Sequence, residues 1–194
     1  MTRHAALRVP RPTQTDCAVP LAEARRFVPG ADTHRRLRDA LGQFATGVTV
    51  ITAKSAIGPL GMTANSFSSV SMDPPLVLWS PARKSHRFAA FSEAPHFAIH
   101  VLARTQRDMA LHFATQGHDF EGFEHRISEI GIPVLSGCLA VFECALEAVH
   151  DGGDHAIVVG RVQAVQATTG APLVFNSGQF GGFEPQLVDN RRPR

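Results

Sequence analysis

Leu37, Ala40, Leu41, Phe44 and Ala45 recur at the three- and four-residue spacing of one helical face. Asp32 or Thr33, just ahead of them, suits the free N–H groups at a helix start. Gly47 is a natural stop. The period then changes. Residues 48–53 are β-branched and read as a strand. Residues 54–59 read as a turn, and residues 60–65 and 67–72 as two more short strands, the second broken by Asp73-Pro74-Pro75. Residues 76–79 are almost wholly apolar and predict a buried strand. Ser85 can cap a short helix through Phe91, and residues 97–102 form another strand. Thr105 with Asp108 resembles a capping box before a helix to about Thr115. Residues 116–137 read as irregular. Beyond them Phe142, Cys144, Leu146 and Ala148 share one face of a strand, with Glu143 and Glu147 on the other. The turn Asp151-Gly152-Gly153-Asp154 leads into a strand from about His155 to Val165, a hairpin signal. A last strand lies near residues 173–175.

Many short strands with few helices between them predict a mainly β fold, a closed or partly closed antiparallel barrel. A parallel sheet needs crossover helices, and the first four strands have none. Three stretches divide the chain: a disordered leader (residues 1–31), one folded domain (32–184) and a polar tail (185–194).

At 194 residues and 44% hydrophobic, the chain can bury a single core. A net charge of +2 is too near neutral for a dedicated nucleic-acid binder. No apolar run is long enough for a membrane helix, and the leader lacks a signal peptide's apolar stretch. A cytoplasmic location follows. The odd count of cysteines, Cys17, Cys138 and Cys144, forms no closed disulfide framework. Cys138 and Cys144, if in one extended strand, lie roughly 20 Å apart and read as buried thiols.

Three segments carry candidate chemistry. The stretch Gly61-Met62-Thr63-Ala64-Asn65-Ser66-Phe67-Ser68-Ser69-Val70 is dense in small polar side chains. Hydroxyls and backbone N–H groups at a strand end suit the edge of a flavin ring, where reduction places negative charge. A plain polar edge strand fits the composition as well. Ser80-Pro81-Ala82-Arg83-Lys84-Ser85-His86 opens a helix, where Lys84, Arg83 and Ser85 add charge and hydroxyl that would suit a phosphate or pyrophosphate; a solvated helix start is the alternative. His155 follows a tight turn and can touch a nicotinamide or flavin, or only tie the hairpin. Zinc spacing is absent, and so are G-x-G-x-x-G after a strand, a P-loop and G-x-S-x-G.

Phe44-Ala45-Thr46-Gly47-Val48-Thr49-Val50, the 61–70 stretch, Asp73-Pro74-Pro75-Leu76-Val77 and Gly153-Asp154-His155, in that order, resemble the flavin reductase-like family of FMN-binding split barrels. The resemblance covers about residues 37–183. It implies a Greek-key split β-barrel and a homodimer with flavin near the interface. It implies an NAD(P)H:flavin oxidoreductase that uses NADH or NADPH to reduce FMN or FAD. Reduced flavin would pass to a separate flavin-dependent monooxygenase component. Thr63, Ala64, Asn65 and Ser66 would contact the flavin, within a stretch that also holds Phe67 and Ser69. Ser80, Lys84 and Ser85 would lie toward its phosphates, with Thr46 nearby, and His155 on the nicotinamide side. Trp79-Ser80-Pro81 departs from many relatives. A non-catalytic flavin carrier or redox sensor is the second reading, and a metal-binding barrel the third.

Overall fold

In this computed structural model, residues 25–185 are described. Cys17, most of the leader and most of the tail lie outside them. The described residues fall into two units, up to Arg38 and from Asp39 onward. A 3-10 turn at Ala31–Thr33 precedes helix α1 (His34–Gly42). Thr33 does not cap forward as predicted. Its Oγ1 turns back and accepts the Gly30 N–H at 2.8 Å.

The helix ends at Gly42, not Gly47. The Gly42 carbonyl is taken by the Ser177 N–H (2.9 Å), and Asn176 Nδ2 donates to the carbonyls of Gly42 and Gln43. Thr46–Gly47 is therefore free to form β1, which pairs antiparallel with a strand far along the chain at Phe175 and Val174.

The remaining elements in chain order are β2 (Thr49–Ser55), β3 (Gly58–Ala64), β4 (Ser68–Met72), β5 (Pro75–Trp79), α2 (Phe88–Ser92), β6 (His96–Val101), α3 (Arg107–Thr115), β7 (His125–Ile127), β8 (Pro133–Leu135), β9 (Ala140–Gly152), β10 (His155–Ala167), β11 (Leu173–Asn176) and β12 (Gln179–Gly182). Seven strands form one antiparallel sheet in the order β3-β2-β6-β9-β10-β5-β4. Its two edges, β3 and β4, are consecutive in sequence and joined only by residues 65–67. So short a link forces the sheet to curl until its edges meet, since each residue reaches at most about 3.6 Å. The edges do not pair with each other among the described residues. The result is a split barrel, with the split at residues 65–67.

Ile51, Leu60, Trp79, Phe91, Phe97, Ile99, Cys144 and Val158 form one buried cluster, with Phe142 and Leu146 against it. This is the face that alternation assigned to β9. A second cluster, including Val50, Leu102, Met109, Phe113 and Leu173, packs α3 against the sheet. Gly61 lets α3 approach, because a Cβ there would lie 2.4 Å from the Phe113 ring.

Several local expectations are corrected. β5 alternates instead of being buried throughout: Val77 and Trp79 point in, while Leu76 and Leu78 are half-exposed. The helix expected from Ser85 begins at Phe88, after turns. Thr105 does not cap α3; Gln106 Oε1 accepts the Ala103 N–H and its Nε2 donates to the Ser136 carbonyl, both at 2.9 Å. The irregular stretch contains β7 and β8, and β12 was not foreseen. Cys138 precedes β9 rather than lying in it. Both described thiols are free, and burial pushes Cys138 up to about 11 and Cys144 to about 12.

Candidate functional site

The end of β3 is fixed from two sides. Thr49 Oγ1 donates to the Ala64 carbonyl, and Thr63 Oγ1 to the Ala110 carbonyl of α3, each at 2.7 Å. The chain then leaves the ladder at the split. Among the described residues, the backbone N–H groups of Asn65 and Ser66 make no hydrogen bond to the protein. Ser66 Oγ accepts the Ser80 N–H at 2.9 Å, tying the split to the segment after β5. That segment is tied in turn to the β9–β10 turn. The Ala156 N–H donates to the Pro81 carbonyl (3.1 Å), the Arg83 N–H to the Asp154 carbonyl (2.9 Å), and Arg83 Nη2 pairs with Asp151 at 2.7 Å.

These ties place three separate stretches of sequence around one cavity of about 370 Å³. Thr63, Ala64, Asn65 and Ser66 line it from the split, Ser80 and Ser85 from the segment after β5, and His155 from the start of β10. The volume lies in the range of small-molecule sites.

The other candidate residues lie elsewhere. Thr46 stands behind the wall, where its Oγ1 accepts from Asn65 Nδ2 at 3.3 Å. Phe67 turns into the core against Phe142, ring centroids 5.5 Å apart. Ser69 is exposed on β4. Lys84 is not part of the lining, but its charge helps lower the Asp154 carboxyl. The helix behind Ser85 has only five residues, so it has no substantial macrodipole to offer an anion.

Sequence reasoning missed Arg87, which also lines the cavity. Its guanidinium spans the gap between β3 and α3: Nη1 donates to the carbonyls of Gly61 (2.9 Å) and Phe113 (2.8 Å), and Nη2 to Ala114 (2.8 Å). Burial lowers its pKa from the ordinary arginine value. An arginine directly before an apolar run, shortly after Arg83 and Lys84, carries no signal of this in the sequence.

On the rim, His155 Nδ1 and Asp154 Oδ1 are 2.8 Å apart. The pair holds Asp154 below the usual carboxylate range, through that hydrogen bond first and the imidazole's charge second. With Nδ1–H donating to Asp154, Nε2 is the ring nitrogen left without a partner among the described residues. No group of three or more His, Cys, Asp or Glu able to hold a metal occurs among the described residues. A larger cavity of about 510 Å³, lined by Glu124, Arg126, Cys138 and Val141 among others, contains none of the candidate residues. Volume alone does not select the site; convergence of the polar segments does.

A family model described as "Flavin reductase like domain" matches residues 41–184. An FMN reductase (NADH), SmoA, of Agrobacterium fabrum is 51% identical over 169 residues, covering 87% of this chain and 97% of its own length. The reductase subunit HsaB of a flavin-dependent monooxygenase of Mycobacterium tuberculosis is 40% identical over 156 residues, covering 78% and 83%. Among solved structures, an NADH:FAD oxidoreductase of Streptomyces globisporus in complex with NAD and FAD fragments superposes with a TM-score of 0.78 at 35% identity, over 84% of this chain and 100% of that one.

Proposed function

The chain belongs to the flavin reductase-like domain family, and from that premise we propose that it is an NAD(P)H:flavin oxidoreductase supplying reduced flavin to a separate monooxygenase. The observation that carries the reading is the convergence of residues 63–66, Ser80, Ser85 and His155 on one cavity at the split. Residues 63–66, Ser80 and Ser85 would hold a flavin there, which would supply the hydride-accepting chemistry toward a reduced nicotinamide. The protein's part is to bind, orient and stabilise charge.

The unpaired N–H groups of Asn65 and Ser66 are fixed donors for negative charge at the ring edge. They are held by the Thr49–Ala64 and Ser66–Ser80 bonds, so they need no rearrangement as charge develops. Thr63 has spent its proton on Ala110, so its oxygen serves only as an acceptor toward the cavity. Ser80 and Ser85 lie toward the phosphate, with Lys84 as a nearby charge. His155, oriented by Asp154, presents Nε2 to the nicotinamide and needs no part in the hydride step itself.

The names of the relatives favour NADH as the donor and allow both FMN and FAD. A homodimer is supported by apolar side chains left exposed among the described residues: Leu41 is 68% exposed, Phe44 78% and Met72 91%. No described helix is long and apolar enough to cross a membrane. The free thiols suit a reducing cytoplasm.

The test is oxidation of NADH and of NADPH with FMN, FAD and riboflavin in turn. Sustained, flavin-dependent oxidation is expected. Tight flavin binding with no turnover on either donor would leave the carrier reading instead.

A further inference from the structure

Helix α3 is fastened at two points to the walls of the candidate site. In mid-helix, the Ala110 carbonyl accepts from Thr63 Oγ1 at 2.7 Å, beside the split. In its last turn, Arg87 Nη1 donates to the Phe113 carbonyl and Nη2 to Ala114, both at 2.8 Å. The last carbonyls of a helix have no partner within it, so Arg87 is a C-terminal cap supplied from outside. Nη1 also reaches the Gly61 carbonyl at 2.9 Å, on edge strand β3. We infer that Arg87 is a positioning residue for flavin phosphate: it clamps the segment after β5 to β3 and α3, and so sets where the Ser85 hydroxyl stands relative to residues 63–66. The inference rests on the flavin reductase reading and deepens it.

The link from Arg87 to Ser85 is short. The Arg87 backbone N–H donates to Ser85 Oγ at 3.3 Å. The Ser85 N–H donates to the Ala82 carbonyl, and the Phe88 N–H to the Ser85 carbonyl, each at 3.0 Å. Ser85 thus has both backbone groups and one oxygen lone pair engaged. Its hydroxyl proton donates to no protein group among the described residues. That proton is what a phosphate oxygen would accept at the cavity wall. Helix α2, with five residues, gives the segment little rigidity of its own. The guanidinium supplies it.

The clamp works by geometry rather than charge. All three acceptors are neutral carbonyls, and no carboxylate pairs with Arg87 among the described residues. The arginine stem passes Gly117, where a Cβ would lie 2.6 Å from Arg87 Cδ. The Gly117 carbonyl accepts the Gly61 N–H at 2.7 Å, so both backbone groups of Gly61 are engaged at this junction. A planar fork meets several carbonyls at fixed angles. A lysine ammonium is a point charge on a flexible stem and does not.

The test is a double-mutant cycle on the full-length chain, read by titration with FMN and with riboflavin, which lacks only the phosphate. Ser85→Ala should weaken FMN about tenfold, the loss of one bond to a charged group, and riboflavin by less than about twofold. Arg87→Met keeps the stem and removes the donors. It should reproduce that pattern, because it releases Ser85. The double variant should bind FMN no more than about twofold worse than Ser85→Ala alone, since the second change acts through a hydroxyl already gone. Arg87→Lys keeps the charge and should retain most of the loss. It also replaces Arg87→Met in the cycle, should that variant melt early.

Losses that multiply in the double variant overturn the inference, because Arg87 then acts independently of Ser85. So does full recovery in Arg87→Lys, which would make charge the whole effect. Equal weakening of FMN and riboflavin overturns it as well, and so does either single variant with unchanged FMN affinity. A wild-type chain that binds no flavin defeats the parent reading and the inference together, whereas one that binds FMN and fails the cycle defeats the inference alone.

Discussion

His100 and His155 belong to the same sheet and stand at opposite ends of what a histidine does. His100, on β6, is completely buried; its Nδ1–H donates to the Val50 carbonyl at 2.9 Å and its Nε2 accepts the Leu135 N–H at 3.1 Å. Both ring nitrogens are spent on backbone, joining β2, β6 and β8. His155 opens β10 with its side chain 44% exposed, holds one partner, Asp154, and keeps a ring nitrogen free at the cavity. The difference teaches that a histidine's availability is read from what its two nitrogens already hold. The interior one stabilises the barrel, and the rim one is left for a ligand.

The largest expected effect is at the interior. His100→Ala should leave the Val50 carbonyl and Leu135 N–H unpaired around a new cavity, costing about 3–5 kcal/mol. The melting temperature should fall by roughly 10 °C or more. A melting curve within two degrees of wild type would break the contrast at its structural end.

Acid should act on the same residue. Burial lowers the His100 pKa to about 4, the bond to Val50 opposes this, and the charge of Arg126 adds to the lowering. The unfolded chain keeps the ordinary value of 6.5. Between the two, the unfolded state binds more protons, so stability is full above about pH 6.5 and falls as pH drops toward 4. The loss amounts to about 3 kcal/mol. Denaturant midpoints at a series of pH values should show this slope in wild type and in His155→Ala alike. Its disappearance in His155→Ala would reverse the assignment of roles.

Two rim effects are smaller. Lys84→Ala should weaken FMN only a few-fold, and riboflavin not at all, because Lys84 lies outside the lining. A loss of about a hundredfold, read by flavin fluorescence titration, would mean that the side chain reaches the phosphate directly. Asp154→Asn should leave the melting curve unchanged and slow reduction a few-fold, since it only orients the imidazole. An unchanged rate would show that the orientation of His155 does not matter.

The barrel was legible because its strands alternate or run β-branched, and because Asp151 to Asp154 spell a two-residue hairpin. What failed were decisions made by distant partners. α1 stops at Gly42 because Asn176 and Ser177 claim its last carbonyls, more than a hundred residues away in sequence. β1 and β12 are too short to show a period. At the site, small polar residues beside a strand break announced residues 63–66. Phe67 lies in the same stretch but packs into the core against Phe142. Arg87 left no trace, since its meaning depends on three carbonyls contributed by β3 and α3. A local sequence window holds the donor and not the acceptors.

The central claim is that the free ring nitrogen of His155 serves the nicotinamide while the split holds the flavin. Stopped-flow reduction by NADH in His155→Ala, set beside a flavin titration and a melting curve, tests it most directly. The account predicts a rate slowed by roughly 5- to 150-fold, with flavin affinity and melting temperature nearly unchanged. A stably folded variant that is reduced at the wild-type rate would contradict it.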